Sequence, residues 1–148
     1  MRRLIIFIFV FLVAATAQAE ELLMVRSHQK FPEAMLTLQN ALDEHGYTVT
    51  RVQRVDIGLT GMGYHTDKYR VVFFGKTDEV HYLAKKYPTL IPYLPPKISI
   101  FAENDETVLV TAKPSLYEKM IHNKKDEEIF LRWQKDFQSV FDEVRNTE

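Results

Sequence analysis

The segment from Gly58 to Tyr69, GLTGMGYHTDKY, gathers three of the chain's five glycines with Tyr64, His65, Asp67 and Tyr69, and Asp56 stands two residues before it. A phosphate cradle needs backbone N–H groups aimed at one point, with a helix N-terminus behind them. The spacing Gly58-x-x-Gly61-x-Gly63 is neither the Walker pattern nor the dinucleotide fingerprint, and the sequence after it reads as a strand. The glycines are better suited to positive φ angles or a bulge at a corner. Asp56 and His65 are the nearby pair with the chemistry for proton transfer, an acid that can orient an imidazole. Asp56 could instead brace the loop by accepting its N–H groups. Tyr64 and Tyr69 suit packing, with their hydroxyls at a rim.

Other chemistries have less material. The five histidines, His28, His45, His65, His81 and His122, include no i,i+4 pair. His28 and His65 are the two that could converge on a metal or haem iron, and otherwise they are solvated loop residues. No cofactor is predicted. There is no G-x-S-x-G elbow, and a triad of Ser27, a histidine and Asp56 is arbitrary. The absence of cysteine excludes a thiol nucleophile, a thioredoxin-like pair, covalent c-type haem attachment and cysteine-ligated clusters. A different kind of site is offered by PTLIPYLPPK, Pro88 to Lys97, where Leu90, Ile91, Tyr93 and Leu94 lie between four prolines. Such a stiff apolar wall loses little entropy on binding. It can line a pocket, meet a second subunit or cover its own core.

These residues must be held by a small exported domain. Arg2 and Arg3, the apolar run Leu4 to Val13 and the small-x-small site Ala17-Gln18-Ala19 predict a signal peptide over residues 1–19, cleaved after Ala19. The run is short of the roughly 20 residues that span a bilayer. Residues 20–148 then form a single domain, expected in the periplasm without stable membrane insertion. Two of the 19 basic residues leave with the leader, so 17 face 20 acids, and a weakly acidic surface gives nucleic acid no purchase.

Within that domain, Leu22 to Arg26 reads as a strand, and Phe31, Ala34, Met35, Leu38, Ala41 and Leu42 recur at helical spacing, ended by Gly46. Tyr47 to Leu59 alternates with mixed faces, the mark of an edge strand. Tyr69 to Gly75 is a buried strand, and Thr77 is positioned to cap a second helix that Pro88 stops. PTLIPYLPPK is expected to be irregular. KISIFAE and TVLVTAK form a hairpin turned by Asn104-Asp105. Ile129, Phe130, Trp133, Phe137, Val140, Phe141 and Val144 make one stripe of a terminal helix. The order β-α-β-β-α-β-β-α predicts an α+β fold with helices packed on a mainly antiparallel sheet.

With its elements in that order, the chain resembles domain-of-unknown-function family 302, the TT-type fold, from about Leu22 to Val144. The resemblance rests on FPEAMLTLQNALDEHGYTV, RVDIGL, DKYRVVFFG, PYLPPKISIFAENDETVLVTAKP and the terminal helix. It implies a compact α+β domain, often a homodimer, with no settled activity. Many relatives carry cysteine where this chain has Gly75 and Pro96, so a thiol-based redox or metal role does not carry over. The expected function is a non-enzymatic exported module that binds a small apolar ligand or a protein partner as a homodimer, with Asp56, Tyr64, His65, Tyr69 and Tyr93 at the site. An enzyme using Asp56 and His65, and a haem- or metal-binding accessory protein, are the alternatives.

Overall fold

The computed structural model describes residues 21–147; the predicted leader and the predicted cleavage site after Ala19 lie outside them. The strands are β1 (Leu22–Ser27), β2 (Thr48–Arg54), β3 (Tyr69–Gly75), β4 (Lys97–Glu103) and β5 (Glu106–Ala112). The helices are α1 (Phe31–Glu44), α2 (Val55–Gly61), α3 (Thr77–Lys86) and α4 (Lys124–Asn146), with 3-10 turns at Pro88–Tyr93 and Pro114–Met120. The five strands form one antiparallel sheet in the order β1-β5-β4-β3-β2. This is the α+β arrangement that the order of strands and long helices predicts.

Local chemistry explains where the elements stop. At the end of α1, Gly46 takes φ +76, and its N–H donates to Asp43 O while that of Tyr47 donates to Leu42 O. That reciprocal pair satisfies the last carbonyls of the helix and requires the left-handed residue that glycine supplies. The β4–β5 turn puts Asn104 at φ 56, a conformation asparagine tolerates. Asn123 caps α4 by accepting the Lys125 N–H at 2.9 Å.

Three local expectations are corrected. The strand after Tyr47 ends at Arg54, and α2 takes over Val55–Gly61; its two glycines lie at helical positions with negative φ. The cap residue of α3 is Lys76, and Thr77 is already helical, with no side-chain cap bond. The proline-rich segment is regular in part, because its first six residues form a 3-10 turn with Pro88 at the start, where the missing N–H costs nothing.

Period two divides the sheet. Leu23, Val25, Val72, Phe74, Ile98, Ile100 and Leu109 join one buried cluster with the apolar faces of α1 and α4. Its centre is aromatic: Tyr47 to Phe74 (5.5 Å between ring centres), Phe74 to Phe137 (5.0 Å) and Phe130 to Trp133 (5.2 Å). A polar clasp closes one end. Ser27 Oγ and Gln29 Nε2 both donate to Val144 O, and Gln29 also bonds Thr147 O and Thr37. The terminal carbonyls of α4 are thereby satisfied by the exit of β1.

Candidate functional site

The glycine-rich corner does not assemble the acid–imidazole pair. Asp56 lies in the first turn of α2 and is bonded by the Arg70 guanidinium from β3, both side chains being largely buried. That bond holds the Asp56 carboxyl below its ordinary pKa, and Arg70 stacks its guanidinium 5.7 Å from the centre of the Phe31 ring. Asp56 thus ties α2 to the sheet. His65 and Tyr64 lie in the exposed loop that follows α2, and no hydrogen bond or ion pair joins His65 to Asp56 among the described residues. Of the loop's glycines, Gly63 alone has a positive φ, +87. His28 reaches Glu106, Nδ1 to Oε1 3.1 Å, and does not meet His65. The described residues contain no group of three metal-ligating side chains. Ser27, the triad's nominal nucleophile, is spent on the Val144 carbonyl.

Tyr69 belongs elsewhere. It pairs with Phe101 across β3 and β4, ring centres 6.0 Å apart and edge to face, on the sheet face opposite the helices. Registration places Leu22, Met24, Val108, Val110, Ser99, Phe101, Val71 and Phe73 on that same face. Met24 is 60% exposed and Leu22 50%. None of these residues belongs to the helix-covered core cluster. Charge is unevenly spread on this face. Arg51 and Lys97 flank Phe73 at one end, whereas Glu103 and Glu106 flank Arg26 at the other and form ion pairs with it.

Tyr93 lines a cavity of about 180 Å³ where the two 3-10 turns meet the end of the sheet. Tyr117 from the second turn stands 5.2 Å from Tyr93, ring centre to ring centre, and sets its own edge against Phe130 at 6.0 Å. Trp133 and Phe137 close the inner wall, and Lys97, Ser99 and Thr111 supply its polar atoms. Burial, with the neighbouring Tyr93 second, raises the Tyr117 pKa, so its hydroxyl stays a donor. Thr111 Oγ1 donates to Lys97 O at 2.8 Å and fixes the wall.

Five residues expected at one site are therefore distributed over three places: Asp56, Tyr64 and His65 at the α2 corner, Tyr69 on the open sheet face, Tyr93 in the cavity. Tyr117, Lys97 and Arg70 are not evident from sequence spacing. The open face did leave a signal, because Val108 and Val110 are as apolar as Leu109 between them, the pattern of a strand covered on both sides.

A protein-family model described as "Domain of unknown function DUF302" matches residues 23–144. The chain is similar to a solved structure, an uncharacterized conserved protein of that same description from Bacillus stearothermophilus, with a TM-score of 0.76 and 20% identity over 86% of this chain and 100% of that one. At that identity the likeness is one of fold. No curated protein matches the sequence.

Proposed function

The chain belongs to the family described as Domain of unknown function DUF302, and from that membership and the geometry above we propose an exported, non-enzymatic binding module that works as a homodimer through its open sheet face. The observation that carries the reading is that face itself. Five strands about 4.8 Å apart and about six residues long at 3.3 Å each give a face on the order of 24 by 20 Å, mainly apolar across its middle and charged at its two ends, with Leu22 and Met24 well exposed on it. Its charge pattern selects the occupant. A two-fold axis lying in the plane of the contact and running across the strands lays the end with Arg51 and Lys97 of one copy over the end of the other that carries two glutamates against one arginine. Such a surface is complementary to itself, as an isologous interface requires. The non-enzymatic part is supported by the corner at α2, where Asp56 is occupied by Arg70.

Sedimentation of the processed protein tests the assembly. A dimer at micromolar concentration is expected, and Met24→Glu, which buries a charge within a face-to-face contact, should give monomer with unchanged circular dichroism. A monomeric parent protein under those conditions would sink the reading. Export is tested on its own by intact mass, which should begin at Glu20.

A further inference from the structure

We propose that the cavity beside Tyr93 and Tyr117 is a binding site for a small planar aromatic carboxylate, its ring against Tyr93, Tyr117 and Trp133 and its acid group at Lys97. The proposal rests on the binding-module reading and names a ligand class for it.

Size sets the first limit. A dry apolar cavity of about 150 Å³ accepts benzene, so the roughly 180 Å³ available here takes one ring with one small substituent. A fused polycycle or an extended acyl chain outgrows it. The wall sets the second limit, since four aromatic rings and two prolines, Pro96 and Pro114, face the space. Flat apolar ligands gain most from such a wall, by offset or edge contacts with the rings.

The polar groups set the sign of charge. Among the described residues no hydrogen bond or ion pair takes up the Lys97 ammonium or the hydroxyls of Tyr93, Tyr117 and Ser99, while Thr111 is consumed by the Lys97 carbonyl. Among the described residues no carboxylate lines the cavity. The free groups are an ammonium, which can only donate, and phenols, of which Tyr117 is held protonated by burial. A carboxylate accepts from all of them and gains charge-assisted bonds, whereas a cationic ligand would meet Lys97 with no counter-charge. The site is also built in advance. Prolines stiffen both 3-10 turns, and the Thr111 bond and the Tyr117–Phe130 contact hold opposite walls, which lowers the ordering cost of binding.

Trp133 is the chain's single tryptophan and lines the cavity, so it reports occupancy. The full chain is titrated with benzoate and with its neutral counterpart benzamide, by Trp133 emission and in parallel by calorimetry. Saturable benzoate binding is expected, at least tenfold tighter than benzamide. Lys97→Met should weaken benzoate at least tenfold and leave benzamide unchanged, and Tyr117→Ala should weaken both. Binding of neither probe overturns the proposal, and equal benzoate affinity in Lys97→Met and the parent removes the acid from it. Sedimentation of the same samples separates this idea from the assembly. Benzoate binding to a protein that never dimerises would keep the cavity and discard the homodimer, and a dimer that ignores benzoate would do the reverse.

Discussion

The two faces of the sheet are made by alternate residues of the same strands, yet they are packed against different things. Val25 and Leu109 point into a cluster closed by α1 and α4; Met24 and Val110, one residue away on each strand, point to a face that no described helix covers. The outer face carries charges at its two ends, but between them it is largely apolar, as the inner face is. What differs is the partner supplied within the chain: the inner face is answered by the Phe130, Trp133, Phe137, Val140, Phe141 and Val144 stripe of α4. The apolar residues of the inner face thus serve stability, and those of the outer face are left to the contact proposed above. A single substitution on either face should tell them apart.

The largest expected effect lies inside. Trp133 is fully buried, and its indole N–H donates to Glu79 at 2.8 Å, so it joins α3 to α4 as well as filling the core. Trp133→Ala should cost about 3–5 kcal/mol, seen as a lower urea midpoint at every protein concentration. Met24→Glu on the outer face should instead remove the concentration dependence of melting that a dimer confers by mass action. Should Trp133→Ala melt like the parent, the comparison between faces fails at its root.

A smaller effect is expected where the inner layer is sealed by charge. Asp126, 3% exposed at the start of α4, accepts from Tyr87 at 2.5 Å and Tyr82 at 3.1 Å and pairs with Lys86 at 2.7 Å. Burial by itself would raise its pKa, and the bonds from Lys86, Tyr87 and Tyr82 more than offset that, so the carboxyl titrates below its ordinary value. Asp126→Asn keeps the shape and loses the charge, at an expected cost of about 1–3 kcal/mol. A carboxyl with a depressed folded pKa stabilises the fold above its unfolded value of about 3.9 and loses that contribution as pH falls through the folded pKa. The stability gap between parent and Asp126→Asn should therefore be level above about pH 4 and close below it. A gap that widened in acid would show that the protonated form is the one the tyrosines prefer.

Sequence legibility followed the physical range of each signal. Helical and two-residue periodicities are local, so α1, α4, β1, β3, the β4–β5 hairpin and the α+β class could be read directly. The bond from Arg70 to Asp56 spans 14 residues and depends on α2, a helix of seven residues too short to leave a period. The strand pattern through Val55 and Ile57 ran on into it, which is why Asp56 read as a strand end. Tyr93 was visible because four prolines surround it, but its neighbours Tyr117 and Lys97 come from separate segments that only the folded sheet brings together. That no described helix covers the outer face depends on where those helices land, and no window of sequence contains it.

The smallest effect concerns the corner that serves neither face. Gly58 lies inside α2, where an added Cβ meets nothing within 4 Å; Gly63, just beyond the helix, holds φ +87, also in open space. The same substitution should therefore have opposite signs at two positions five residues apart. Alanine at Gly58 removes unfolded-state freedom and favours helix, raising stability by roughly 0.5–1 kcal/mol. Alanine at Gly63 must hold a left-handed conformation, at a cost of about 1–2 kcal/mol. Because neither change touches Met24 or Tyr93, both variants should retain the parent's sedimentation and benzoate response. Paired thermal melts decide it: a rise for Gly58→Ala with a fall for Gly63→Ala identifies the segment as a helix and its exit turn. Loss of benzoate binding in either variant would instead bring the corner back into the functional account.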